Sequence, residues 1–440
     1  MKITSSYAVE IKNVGLILKP TISIYRQALA FLIEVTNAEW IVIKDIKTAN
    51  ERMAVIEKLT HTTKNHIAKY PDFDVLFPKM PSYLRRAAIN TAVGIVASYH
   101  ANYKNWENGG KKGSEPRLQT NHFQMPVFYK DNTFEYDKTK PFEAKIKLFV
   151  HNDWRYVTLK LKKTDVRYLQ KYWSHTKASS PKLERKYGKY FLRFAFEEKV
   201  VLNDPPLKQE RICAVDLGLN SDAVCSIMCA DGTILARKFI NLASDKDQLY
   251  KVLNRIRKFQ RKYGSRNVSG LWSYARRLND ELAKKIAAAI TDFAVLYSAD
   301  CIVFEYLNFQ GRKIRGSKAY QIHMWRKNGI QAMVTQKAHR YGIRISHICA
   351  WGTSKLAYDG SGEVTRDKNN HALCTFTNNK HYNCDLNASY NIGARYFIRK
   401  ILKPLPEKVG SQLQAKVPDV GRRTSCTLDT LLRLNAALAA

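Results

Sequence analysis

Three acidic residues stand where an apolar run stops or a helix is set to begin, and they restrict the fold more than anything else in the chain. Ile212-Cys213-Ala214-Val215 ends at Asp216, Cys301-Ile302-Val303-Phe304 ends at Glu305, and Asp385 precedes Leu386-Asn387-Ala388-Ser389-Tyr390-Asn391-Ile392. Short apolar runs bounded by polar residues read as buried strands. Acids at the ends of two such strands and a third opening a helix can meet at one end of a sheet. Mg²⁺ is a hard cation that prefers oxygen ligands, and two such ions about 3.5 to 4 Å apart can clamp the attacking and leaving oxygens of a phosphodiester displacement. Each acid alone has a plainer explanation. Asp216 could end a strand before a turn at Gly218, Glu305 could be solvated, and Asp385 could cap its own helix.

The pattern around these acids predicts a mixed domain. After Gly218, residues 223–228 and 234–239 read as strands joined by the turn Ala230-Asp231-Gly232, so that three strands meander. Leu282, Ile286, Ile290, Phe293 and Tyr297 share one helical face, a helix over about 319–341 precedes a strand at 343–348, and the helix opening near Asp385 points Ala388, Ile392 and Phe397 inward. Upstream, residues 3–17 read as a strand and 23–105 as helical, until the Gly- and Lys-rich stretch 108–115 breaks the pattern. From 123 to 202 the period changes to two, which predicts a small barrel or sandwich that the first strand joins across the helical insertion. Asp204-Pro205-Pro206 reads as a linker.

Charge points to the partner. The chain of 440 residues carries 73 Lys and Arg against 38 Asp and Glu, a formal net charge of +35. Solubility of a small domain needs only about 2 to 8, so an anionic partner, and nucleic acid first, is expected. No run of eighteen uncharged apolar residues occurs and the N-terminus lacks an apolar signal block, so neither membrane insertion nor secretion is expected. The eight Cys all fall after residue 212 and suit reduced thiols in a cytoplasm. The sharpest basic feature is the helix over 248–263. Leu249, Val252, Leu253, Ile256 and Tyr263 form one stripe, and Lys251, Arg255, Lys258, Arg261 and Lys262 fill the opposite arc with no acid among them. Lys251, Arg255, Lys258 and Lys262 are therefore candidates for phosphate contact, with Arg276, Arg277, Arg312, Lys313 and Arg315 extending the basic surface around the carboxylates.

A strand-ending Asp, a helix, a strand-ending Glu and a late Asp opening a helix is the order of an RNase H type nuclease domain. The segments 214–219, 302–307 and 385–392 resemble the three RuvC motifs of TnpB, the transposon-encoded RNA-guided DNA nucleases from which the compact type V CRISPR effectors descend. The resemblance implies a multidomain α+β chain: a β-barrel wedge domain (1–20 and 111–204) with a helical recognition insertion (21–110), then an RNase H-like RuvC α/β nuclease domain (205–403) and a tail (404–440). Within the nuclease domain it implies a helical segment at 243–298. It further implies a prokaryotic, cytoplasmic, RNA-guided DNA endonuclease with a guide RNA and target double-stranded DNA as partners. Asp216, Glu305 and Asp385 would be the catalytic residues and Mg²⁺ ligands. Two other readings remain: a guided DNA-binding protein that does not cut, and a DDE-type transposase or resolvase without a guide.

One region departs from that pattern. Thr353-Ser354-Lys355-Leu356 leads to Ala357-Tyr358-Asp359-Gly360, where the family commonly has Cys-x-x-Cys, and Cys374 and Cys384 stand far apart with only His371 and His381 nearby. Structural Zn²⁺ sites use short paired spacings, so 349–384 is expected to be a degenerate ribbon without zinc, packed by Trp351, Leu356, Tyr358, Phe376 and Tyr382.

Overall fold

The computed structural model describes all residues except 121–122, 219–220, 265–267, 307–326, 368, 371 and 440. It divides into two compact units, Lys2–Glu198 and Lys199–Ala440, the latter with Met1.

In the first unit, strand β1 (Lys2–Lys12) is followed by helices α1 (Leu18–Ala38), α2 (Trp40–Ile43), α3 (Ala49–Thr60), α4 (Asp72–Leu76) and α5 (Ser82–Asn108). Leu18, Ile22, Tyr25, Leu29 and Leu32 recur at helical spacing along α1, and Leu84, Ala88, Ala92 and Val96 do so along α5, so the two helices bury facing stripes. The chain then forms β2 (Phe134–Glu135), β3 (Glu143–Val150), β4 (Asp153–Leu161), α6 (Lys163–Trp173), β5 (Lys182–Lys186) and β6 (Lys189–Lys199). The strands build one six-stranded sheet ordered β2-β3-β4-β1-β6-β5. The helices and the sheet share a single apolar core. Thr21 on α1 fastens the two layers, its hydroxyl accepting the Phe149 amide at 2.8 Å.

The expected barrel is not closed. Strands β2 and β5 are the edges of the sheet. Residues beside them pair only in isolation, as in the Val127–Lys182 bridge and the Phe128 amide on Pro181 O at 2.8 Å. A strand of two residues at one edge has too few backbone groups to complete a ladder.

The second unit is built on β7 (Arg211–Asp216), β8 (Ala223–Cys229) and β9 (Ile234–Ile240), an antiparallel meander, followed by α7 (Ala243–Tyr263) and α8 (Ser269–Leu296). Strand β10 (Cys301–Tyr306) lies parallel to β7, and after α9 (Lys327–Arg340) strand β11 (Arg344–Cys349) lies parallel to β10. The order is β11-β10-β7-β8-β9. A three-stranded insert of β12 (Thr365–Arg366), β13 (Leu373–Thr375) and β14 (His381–Asn383) precedes α10 (Cys384–Leu402), α11 (Glu407–Lys416) and α12 (Leu428–Ala439).

Side-chain alternation divides the central strands between two cores. Cys213, Val215, Ile302 and Phe304 face α8 and α9, where Leu282, Ile286, Ile290 and Val334 meet them. Ile212, Ala214, Cys301 and Val303 face α10 and α12. Burial on both sides is why these strands read as continuous apolar runs. Every residue of α10 from Leu386 to Ile398 is buried. At Gly393 the helix comes so close to the sheet that an added Cβ would lie 2.8 Å from Met228 Sδ and 3.3 Å from Ala214 Cβ.

Several sequence expectations change. The segment after residue 403 is part of the core, because Leu413, Val417, Leu428, Leu431 and Leu434 pack in the same cluster as α10. Tyr263 is exposed at the end of α7, where Gly264 stops the helix, so the buried stripe there is Leu249, Leu253 and Ile256. Trp351 is also exposed rather than packed in the insert. Among the described residues no helix is long and apolar enough to cross a membrane.

The role of α12 is testable. Leu431 is fully buried and Leu438 is 45% exposed. Leu431→Ala should lower the unfolding free energy by about 2–5 kcal/mol, and Leu438→Ala by no more than about 0.5 kcal/mol, read from urea midpoints. Equal effects would detach α12 from the core.

Candidate active site

The strand parity that divides the two cores also aims the acids. Asp216 lies two residues beyond Ala214 and Glu305 two beyond Val303, so both carboxylates continue the face that carries α10. Val215 and Phe304 are paired neighbours across the parallel β7–β10 ladder, which sets Asp216 and Glu305 side by side. Asp385 stands in the first turn of α10. It does not cap that helix, because the Asn383 side chain does: its Oδ1 accepts the backbone amides of Asp385 at 3.0 Å and Leu386 at 2.9 Å. The Asp385 carboxylate is thus left for the site.

The three acids act on one another. Burial, then the charges of Glu305 and Asp385, push the Asp216 carboxyl well above its ordinary range. Burial likewise raises Glu305 and Asp385. The opposing influences are Thr353 on Glu305, Ser221 on Asp385, the more distant charge of Arg395 on Glu305, and that of Arg366 on both aspartates. Among the described residues no three His, Cys, Asp or Glu side chains are drawn together as a finished metal site. The donor set is nonetheless all carboxylate oxygen, which matches a hard divalent cation, and a cation would relieve the like-charge repulsion.

Residues that sequence reasoning did not single out hold the acids in place. The Thr353 hydroxyl is buried and bonds the Glu305 carboxylate, with Ala350 O at 3.0 Å. Asn391 donates to Thr353 O at 2.9 Å and Leu356 O at 2.8 Å, and Asn387 donates to Leu356 O and accepts from Tyr358 N, both at 2.8 Å. Arg395 is buried and donates to four carbonyls, those of Cys349, Trp351, Thr424 and Cys426, at 2.6–3.0 Å. Asn387, Asn391 and Arg395 recur at four-residue spacing, a signal in the sequence that one side of α10 is polar. Ser221 bonds Asp385, and the adjoining Asp222 accepts the Leu242 amide at 2.7 Å.

Of the basic candidates, Lys251, Arg255, Lys258 and Lys262 are all exposed on α7. Arg276 and Arg277 are exposed on α8, where Arg276 bonds Ser273 at 3.3 Å and Arg277 lies over the Tyr274 ring at 5.7 Å. Arg312, Lys313 and Arg315 lie outside the described residues, as does His371. In the insert Cys374 and Cys384 are buried with Ala357 and Phe376, and Lys380 sits over the rings of Tyr358, Tyr382 and Phe376 at 4.8, 5.5 and 5.9 Å.

Comparison with known proteins bears on both units. Residues 4–150 match the model of the Aq_aa04 family. The uncharacterized protein aq_aa04 of Aquifex aeolicus (strain VF5) is 34% identical over 88 residues, 20% of this chain and 49% of the relative, so the match spans about half of that protein. Among solved structures, Cas12f1 in its complex with sgRNA and target DNA is similar with a TM-score of 0.51 at 18% identity, over 86% of this chain and 81% of that one. The mini-RNA-guided endonuclease CRISPR-Cas phi3 gives 0.49 at 11% identity, over 89% and 92%. The chain has the fold of a compact type V CRISPR effector of the Cas12f1 kind.

The raised carboxyls have a signed consequence for stability. Asp216, Glu305 and Asp385 bind protons more tightly in the folded chain than at their ordinary values of 3.8, 4.5 and 3.8. Their contribution is therefore complete below those values and is lost as pH rises through the higher folded ones. Without divalent cations, Asp216→Asn should be more stable than the parent at neutral pH and should lose less stability as pH rises above the ordinary carboxylate values. Parallel pH curves of urea midpoints for the two proteins would contradict the repulsion.

Proposed function

We propose that the chain is an RNA-guided DNA endonuclease that cuts with one active site, formed by Asp216, Glu305 and Asp385. The observation that carries the reading is the shared face of the three acids at the ends of β7 and β10 and the start of α10, where each is held protonation-prone by burial and Asp216 also by its neighbours. The three side chains would hold Mg²⁺. When bound, the metal supplies Lewis acidity and charge neutralisation at a phosphodiester.

The chain's own residues do the rest. The β7–β10 ladder fixes the spacing of Asp216 and Glu305, the Asn383 cap frees and aims Asp385, and Thr353 orients the Glu305 carboxylate. The basic face of α7 grips phosphates, and the net charge of +35 suits a partner as anionic as a guide RNA paired with target DNA. The Lys2–Glu198 unit corresponds in this reading to the wedge and recognition domains and Lys199–Ala440 to the RuvC nuclease. Likeness to Cas12f1, solved with sgRNA and target DNA, supports the assignment of partners. The protein would act in the prokaryotic cytoplasm, either beside a transposon or as a CRISPR effector.

Single replacement of Asp216, Glu305 or Asp385 by Ala should remove DNA cleavage and spare binding of a co-purified RNA and its complementary duplex. Chelation of Mg²⁺ should do the same. Thr353→Val removes only the supporting hydroxyl and should weaken cation affinity or activity by about 10- to 100-fold. Cleavage at the parent rate by any alanine variant takes that residue out of the site.

A second measurement concerns α7. Changing Lys251, Arg255, Lys258 and Lys262 together to Gln should weaken binding whatever the sequence, and should flatten the slope of log K against log salt by up to roughly 0.9 for each B-DNA phosphate the helix no longer neutralises. Leu249, Leu253 and Ile256 are untouched and Gln keeps good helix propensity, so the fold should persist. An unchanged slope would make α7 a solvated face.

A further inference from the structure

The sheet face that carries Asp216 continues beyond β7. Directly paired residues of antiparallel strands project to the same side. Asp216 is paired with Val224 on β8, and Val224 with Phe239 on β9. Phe239 therefore shares the face of the acids, two strand spacings or roughly 10 Å from Asp216. Val224 is fully buried in the core beneath α10, whereas Phe239 is 49% exposed and lies outside the apolar cores on both faces of the sheet. The difference follows from position: β9 is the edge strand, and α10 lies over β7 and β8.

The surroundings of the ring are cationic. Arg237, two residues back and so on the same face, is exposed. Burial and the neighbouring tyrosines push the Tyr382 phenol up while the charge of Arg237 pulls it down, which puts Arg237 beside the insert. Lys238 belongs to the other face, its ammonium 5.7 Å from the centre of the Phe293 ring. Asp222, whose amide bonds Ile240 O at 2.9 Å at the end of β9, is already engaged by the Leu242 amide at 2.7 Å and by Lys246 at 3.4 Å. An exposed phenyl ring with a cation next to it, in line with three carboxyls, suits a ligand that has both a flat apolar face and a phosphate.

We propose that Phe239 sets the position of the cut: its ring stacks on the base of a nucleotide adjoining the cleaved phosphodiester, and so decides which phosphodiester of the strand meets Asp216, Glu305 and Asp385. The proposal rests on the nuclease reading of those acids. Phosphates repeat along a strand, so carboxylates that hold a metal against one of them do not by themselves choose which. A contact to a base at a fixed distance does choose. Stacking suits that role because every base has a flat face, and the choice is then of position rather than of sequence. The separation of roughly 10 Å between Asp216 and Phe239 is of the order of the reach from a phosphate across its sugar to a base, and Arg237 is placed to neutralise a neighbouring phosphate.

The test uses the full chain with its co-purified RNA and an end-labelled complementary target, whose cuts are mapped to single nucleotides. Phe239→Ala should lower the ratio of the principal cut to cuts at neighbouring phosphodiesters by about five- to a hundredfold, the effect of losing one stack of a base on an aromatic ring. Target affinity should match that of the parent, because pairing with the RNA sets it. Phe239→Leu keeps apolar bulk without a ring, so it should melt like the parent yet cut like Phe239→Ala. Phe239→Trp should keep the parent pattern. An abasic nucleotide walked through the target should, at one position beside the cut, spread the cuts of the parent and change nothing further in Phe239→Ala. The parent pattern in Phe239→Ala or Phe239→Leu, or the lack of such an abasic position, would overturn the proposal and leave the nuclease reading standing. Cleavage at the parent rate by Asp216→Ala would instead bring down the reading beneath it.

Discussion

The burial of α10 against the sheet is the contact on which the rest of the second unit depends. Its residues from Leu386 to Ile398 are all shielded from water, although they include Asn387, Ser389, Asn391 and Arg395. Polar groups inside a core are costly unless bonded. Here the two asparagines and the arginine reach out to the carbonyls of Cys349, Trp351, Thr353, Leu356, Thr424 and Cys426. One helix therefore fixes loops that are distant in sequence, and moving it by an ångström would leave several buried groups unpaired. Gly393 makes the arrangement possible, since any side chain there would strike Met228.

That rigidity sustains an electrostatic tension. Three carboxyls near one another would separate if their backbones allowed it, but two are on adjacent strands of a parallel ladder and the third is at a capped helix start. The compensating cations stand off. Arg395 is engaged by carbonyls and Arg366 is on the exposed insert. Such an arrangement is a poor use of stability and a good use of position, as expected when a group is kept ready for a ligand that neutralises it.

Much of this was legible in the chain and some was not. Strand alternation suffices to place Asp216 with Ala214 and Glu305 with Val303, and the apolar runs ending at them fix their elements. Asn383, two residues before Asp385, is a cap signal that reassigns Asp385 from helix support to the site. Barrel closure was not legible, because it depends on whether β2 and β5 meet, and period-two patterning says nothing about which edges pair. The C-terminal segment escaped for another reason. Leu428, Leu431 and Leu434 have the spacing of a packed helix, but the surface that receives them belongs to α10 and appears only in three dimensions.

The insert shows how a small element can be held by its own side chains. Ala357, Cys374, Phe376 and Cys384 form a compact buried group, and Tyr358 packs against Phe376, Tyr382 and Tyr390 with ring centroids 5.1–5.7 Å apart. Lys380 closes this cluster from the water side, its ammonium over three rings and donating to the Tyr358 hydroxyl at 2.6 Å. The consequence reaches the Glu305 carboxylate. Leu356 and Tyr358 are bound by Asn387, Thr353 by Asn391, and Thr353 holds Glu305. Loosening the aromatic group would thus act on Glu305 through backbone that α10 keeps in register, so the insert and the acid are coupled by hydrogen bonds rather than by proximity alone.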